Sequence, residues 1–259
     1  MESSETWVID YFKEQGFDAE KIPEAKGKDE KSPDFIVTTK AGTRLLIELK
    51  QKFNSSDFEN KKNKILQSGD IFEHLTVLKR TGLFSGVIGS AVKQLEAQKQ
   101  KYSPDYCLVF LEAKGPESAE KLTKFEVNLY GTKTIMTTGK GSLDNPVECY
   151  FYTNSDFYRY RKILDGAFVV GESTLRLCVN PTSPRYDQFI KSDFVTKFKA
   201  DVVDPLKLHR DKRAFIVDDP IDRNNPSLIN AYLAKKYGIE ANIIPIDWPQ
   251  ISVCKRCDG

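Results

Sequence analysis

No stretch of about 18 consecutive apolar residues occurs in the 259-residue sequence, and its first residues are polar and acidic. Neither a membrane-spanning helix nor a signal peptide is therefore expected. A charge excess of one sign is also missing. The 39 Lys and Arg nearly balance the 37 Asp and Glu, and the net charge of +2 is too small to hold a polyanion by itself. Any basic surface must be local. Cysteine supplies no framework: Cys107, Cys149, Cys178, Cys254 and Cys257 form an odd set at irregular spacing. With no export signal, this points to reduced thiols and a cytoplasmic protein. Cys254 and Cys257 have the spacing of a metal knuckle but lack a second pair, and an irregular tail explains them without a metal. Internal repeats, heptads, a P-loop and a dinucleotide fingerprint are absent too. Hydrophobic residues at 40% and charged residues at 29% are ordinary for a globular chain, long enough for one large or two small cores.

What the sequence does contain is a hairpin with charges at one end. Ser32-Pro33-Asp34-Phe35-Ile36-Val37 and Leu45-Leu46-Ile47-Glu48-Leu49-Lys50 flank a Gly-containing turn, Lys40-Ala41-Gly42-Thr43. Alternation along the second strand puts Leu45, Ile47 and Leu49 on one face, apolar and buried, and Leu46, Glu48 and Lys50 on the other. Glu48 and Lys50 then stand at a strand end where the partner strand begins with Asp34. Two carboxylates held together repel, and either a cationic side chain or a bound divalent metal relieves that repulsion. Oxygen ligands suit a hard ion such as Mg²⁺ or Mn²⁺, and a lysine beside a metal-bound water can orient it. These are the parts needed to hydrolyse a phosphodiester.

Pro33-Asp34, thirteen intervening residues, then Glu48-Leu49-Lys50 resembles the PD-(D/E)xK motif of restriction enzymes, Holliday-junction resolvases and RecB-type exonucleases. In that superfamily the motif sits on a β-hairpin preceded by a helix and followed by a helix and a strand, and residues 1–115 read in that order. The resemblance implies an α/β fold with a restriction-endonuclease-like mixed central sheet flanked by helices. Residues 116–259 would form a C-terminal α+β extension that packs on the core and shapes a substrate groove. It further implies a Mg²⁺-dependent deoxyribonuclease, with Mn²⁺ as substitute, acting as an endonuclease of restriction, repair or phage-defence type. Asp34, Glu48 and the Leu49 carbonyl would bind the metal, and Lys50 would position the attacking water. DNA is the expected partner, a homodimer the expected assembly, and no membrane is involved. One rival is a catalytically silent DNA-binding or assembly subunit on the same fold. Another is an unrelated α/β domain in which Glu48 and Lys50 form a surface pair.

Further candidates follow in chain order. Residues 4 to about 15 are predicted helical, with Ser4 as N-cap, an apolar stripe of Val8, Ile9 and Phe12, and Gly16 as the stop. Glu5 shares that stripe. It is either the helical glutamate that resembling enzymes use to complete the metal site, or a first-turn acid favoured by the helix dipole. A short strand is expected near Lys21-Ile22. Gln51 and Lys52 follow the motif lysine and could reach phosphate, or simply end a surface strand. Lys61, Lys62 and Lys64 form a cluster suited to backbone contact, if not merely a solvated face. His74 is expected in a helix with a structural role.

Ser85 to Tyr102 is predicted as a helix on Val87, Ile88, Ala91, Leu95 and Gln98, leading to a buried strand at Asp105–Glu112. Gln98 and Tyr102, four residues apart, resemble an element of RecB-type exonucleases, with Lys93 and Lys101 as other phosphate contacts. Strands are expected at 125–129, 147–152, 166–170 and 175–179, and helices at 187–199 and 226–237. The run Phe157-Tyr158-Arg159-Tyr160-Arg161 mixes aromatic rings with arginines, which suits base stacking and phosphate contact or a core strand with a wet edge. Asp218, Asp219 and Asp222 around Pro220 read as turn chemistry.

Overall fold

Gly42 allows the two apolar runs to turn back on each other: its φ of +88° lies in the left-handed region that other residues avoid, and its N–H donates to Thr39 O at 2.9 Å. The computed structural model describes residues 4–23, 33–54, 56–115, 117–140 and 145–255. Helix α1 (Ser4–Glu14) ends at Gly16 and leads to strand β1 (Asp18–Lys21) and the hairpin β2 (Phe35–Thr38) and β3 (Arg44–Lys52). An excursion through α2 (Ser56–Gln67) and β4 (Phe72–Val77) precedes α3 (Gly82–Tyr102) and β5 (Tyr106–Ala113). Next come α4 (Ser118–Tyr130), β6 (Lys133–Lys140), β7 (Val147–Tyr150), α5 (Asp156–Arg159), β8 (Gly166–Val170) and β9 (Leu175–Val179). They are followed by α6 (Tyr186–Ile190), α7 (Asp193–Lys197), β10 (Asp201–Val203) and α8 (Pro205–Arg210). The described chain ends with β11 (Ala214–Ile216), α9 (Pro226–Tyr237), β12 (Glu240–Ile246) and β13 (Pro249–Cys254).

The fold is mixed α/β, with a seven-stranded sheet ordered β1-β2-β3-β5-β8-β9-β10. β3, β5 and β8 run parallel, while β1, β2 and β9 join antiparallel to their inner neighbours. Every residue of β5 and β8 is buried, as expected of inner parallel strands covered on both faces. One face packs on α3 and α4 through Leu46, Ile88, Leu95, Val109, Phe125, Leu129 and Val169. The other packs on α1, α6 and α7 through Val8, Phe12, Ile47, Phe110, Phe168, Phe189 and Phe194. Strands β8 to β10 lie beyond residue 115, so the main sheet runs without a break across the expected two-part division of the chain.

A smaller sheet ordered β11-β7-β6-β12 carries its own core with α9, built on Ile135, Cys149, Phe215, Ile229 and Leu233. β4 and β13 make a two-stranded ribbon, tied to α4 by the Lys124 ammonium donating to Thr76 Oγ1 at 2.9 Å. Among the described residues, no helix is long and apolar enough to cross a membrane.

Four sequence expectations change. Phe157 to Arg159 are helical, within α5, rather than part of a core strand, because Ser155 caps the turn by accepting from Tyr158 N at 3.1 Å. Residues 125–129 are helical, within α4, because Leu122, Phe125 and Leu129 recur at helical spacing, a period that a five-residue window cannot display. His74 lies in β4 rather than a helix, its ring 4.9 Å from that of Phe58. The expected single helix at 187–199 is two, α6 and α7, since Ser192 caps the second by accepting from Val195 N at 3.3 Å.

Candidate active site at the end of the central hairpin

The register of β2 on β3 decides which charges meet. Phe35 faces Ile47 and Ile36 faces Leu46, so Asp34, one step before β2, opposes Glu48 across the hairpin. Alternation then puts Asp34, Ile36, Leu46, Glu48 and Lys50 on the side of the sheet that α3 covers. The Leu49 N–H donates to Asp34 Oδ2 at 2.7 Å, which fixes that carboxylate on the strand end. Lys50 Nζ pairs with Glu48 Oε1 and donates to Gln94 Oε1 on α3 at 2.7 Å.

Glu48 is only 1% exposed, and among the described residues its Oε2 meets no N–H donor. Burial pushes its carboxyl up to about 7, and the neighbouring Asp34 adds to the rise by its charge and by accepting a hydrogen bond from the protonated Glu48; Lys50 only partly offsets them. Asp34 is also raised by burial, with Glu5 adding to the rise and the Leu49 N–H and Lys50 opposing it. The site is thus a pair of acids in a poorly solvated corner, with one ammonium for two carboxylates. A buried oxygen with no donor, next to a second acid, matches the donor set of a hard cation, and a carbonyl at Leu49 is of the same chemical kind.

The remaining candidates are distributed unevenly. Glu5 adds its field to Asp34, while α1 packs on the face of the sheet opposite α3 and Glu5 Oε2 is engaged by Lys21 Nζ at 2.5 Å. Among the described residues no three His, Cys, Asp or Glu side chains converge closely enough to hold a metal ion. Gln51 donates to Glu112 Oε2 at 2.8 Å on β5, and Glu112 also pairs with Lys114. Lys52 ends β3 half-buried.

Lys61 is exposed on α2, but Lys62 departs from the expected surface cluster. It is 7% exposed and lies in the field of Glu117, because its position on α2 turns inward. On α3, Lys93 is exposed and Gln98 half-buried, one turn beyond Gln94, while Tyr102 packs against the core shared with α4. Cys254 sits half-buried in β13, and Cys257 lies outside the described residues.

Gln94 is the site residue that sequence reasoning missed. It precedes Gln98 by one turn on the same helical face, so spacing marks the two as neighbours, but only the packing of α3 on β3 selects the one that meets Lys50. Comparison of the chain with protein-family models, with curated proteins and with solved structures gives no match.

Proposed function

We propose that this chain is a metal-dependent nuclease of the PD-(D/E)xK type, with a restriction-endonuclease-like core, hydrolysing DNA phosphodiester bonds. The observation that carries the reading is the Asp34–Glu48–Lys50 corner, where a buried carboxyl oxygen meets no N–H donor and burial, with Asp34 beside it, pushes Glu48 up to about 7. Asp34, Glu48 and the Leu49 carbonyl would hold Mg²⁺, which supplies Lewis-acid polarisation of a phosphoryl oxygen and a more acidic bound water.

The chain's own groups do the rest. Asp34 is held in place by the Leu49 N–H, so it need not reorganise to bind. Lys50, held by Gln94, keeps its ammonium beside the reacting position, where it orients a water and donates to developing negative charge on the phosphoryl oxygens. Glu48 must give up its proton before it can bind a cation, so binding weakens as pH falls below about 7. Glu5, coupled to Asp34 through space, tunes that carboxylate.

The test is incubation of the purified protein with linear, circular and single-stranded DNA, with Mg²⁺ and with EDTA. Cleavage that needs Mg²⁺ and is lost in Asp34→Ala and Lys50→Ala, each of which still melts in one cooperative transition, is the expected result. Unchanged cleavage in either variant overturns the assignment.

A second reading is a catalytically silent DNA-binding or assembly subunit, in which Lys50 serves only to neutralise the buried Glu48. It predicts retention of DNA on a filter with no cleavage under any metal.

A further inference from the structure

The run Phe157-Tyr158-Arg159-Tyr160-Arg161 is divided by its own helical turn. Phe157 is fully buried, and Tyr160 turns toward α3, where its hydroxyl fills the space beside Gly89. Tyr158 and Arg159 stay exposed and Arg161 half-exposed, and all three line a cavity of about 990 Å³. That volume is at the upper end of sites for small organic ligands. The cavity is also lined by the loop that follows β11, with Asp219, Asp222 and Arg223, and by Arg80 just before α3.

The chemistry of these groups is specific. The Arg161 guanidinium lies 4.3 Å from the Tyr158 ring centroid and donates to Tyr158 O at 2.8 Å, which steadies an otherwise exposed ring as a flat platform. Arg223 spends its hydrogen bonds on the carbonyls of Val217, Asp219 and Ile221, with no carboxylate among them, and burial lowers its pKa. The Asp218 carboxylate, which also lines the cavity, offsets part of that burial effect, and the guanidinium keeps its charge at the cavity wall. Arg80 Nη2 is paired with the buried Asp156, while its buried Nε has no hydrogen-bond partner among the described residues.

Guanidiniums alone would suit any anion, but Asp219 and Asp222 repel a bare one and offer acceptors instead. A ligand that uses all of these features carries an anionic group, a flat face, and hydroxyl or amino donors.

We infer that this cavity binds one nucleotide unit, with its phosphate on the arginines, its base against Tyr158, and its sugar hydroxyl or base amino group on the carboxylates. The unit is either a free nucleotide or the terminal residue of a single strand. The inference does not rest on the hydrolytic reading. Arg80 and Gln94 are separated by roughly 20 Å along α3, and nothing at the cavity depends on Asp34 or Glu48.

The test is calorimetric titration of the full chain, in EDTA, with adenosine monophosphate, adenosine, inorganic phosphate and a short 5′-phosphorylated single strand. Binding of the monophosphate at least about tenfold tighter than of adenosine or of phosphate is expected, since stacking and ion pairing each contribute a factor of that order. Tyr158→Ala and, separately, Arg161→Ala weaken it about tenfold, with unliganded melting temperatures unchanged, while Asp34→Asn leaves it as in wild type. A strand that displaces the monophosphate and binds more tightly identifies a nucleic-acid end as the source; a strand that fails to compete identifies a free nucleotide. Failure of the monophosphate to bind, equal binding of inorganic phosphate, or binding unaltered in both variants overturns the inference.

Discussion

A carboxyl that is 1% exposed, beside a second acid and with one oxygen lacking a donor, destabilises the fold it belongs to unless a cation joins it. The sign follows from the shift. Glu48 is raised in the folded chain from 4.5 to about 7, so folding favours its protonated form. The stability it contributes is fully present below pH 4.5 and is lost as pH rises through about 7. The loss amounts to about 3 kcal/mol at most for a shift of this size. Glu48→Gln in metal-free protein should therefore be more stable than wild type at pH 8 and no more stable at pH 4. Urea denaturation at the two pH values checks this, and a pH-independent difference would contradict the burial argument. Gln94 makes a separate prediction. Its removal in Gln94→Ala leaves Lys50 held by Glu48 alone, and cleavage should fall about tenfold in single-turnover kinetics while the melting temperature changes little. An unchanged rate would mean that Lys50 needs no positioning from α3.

The hairpin, α3, β5, β8, β9 and α9 were all legible because each carries its own signal: a Gly turn, a helical apolar stripe, or a continuous apolar run. The charged corner was legible for the same reason, since alternation fixes the face of Glu48 and Lys50 once β3 is known. What escaped depends on partners distant in sequence. The inward turn of Lys62, 7% exposed in the field of Glu117, is one case. The Asp165–Arg185 pair is another such case. Asp165 is 1% exposed, and its oxygens accept from Arg185 Nε and Nη2, from Cys107 N and from Ser183 Oγ. Removing the arginine strands a buried charge, so Arg185→Ala should cost about 3–5 kcal/mol in chemical denaturation. A loss below about 1 kcal/mol would show that water replaces the guanidinium. The β4–β13 ribbon is at the other extreme, with Leu75 paired to Ile251 and both more than 60% exposed. Its amides should exchange faster than those of β3, β5 and β8, because a two-stranded ribbon with a solvated face is marginal.

Continuity of the main sheet decides how the chain behaves as a unit. β5, buried along its whole length, lies between β3 and β8, and β8 begins at Gly166. A fragment ending at residue 115 keeps the motif hairpin but leaves one edge of β5 and both of its apolar faces short of cover. It should aggregate or lack a cooperative melting transition, while the full chain unfolds cooperatively; a folded, soluble fragment would show that the first half is self-sufficient. The candidate active site and the arginine-lined cavity then sit on one framework, joined by α3, which bears Gln94 in its middle and follows directly from Arg80.

Two acids sharing one cation beside an amine define the proposed site. Titration of the metal-free protein with Mg²⁺ at pH 7, in buffers of different ionisation enthalpy, measures this directly. Binding to one class of site, with release of a fraction of a proton from Glu48 and loss of the heat in Asp34→Asn, is the predicted result. No binding heat in any buffer, or the same heat in Asp34→Asn, would contradict it.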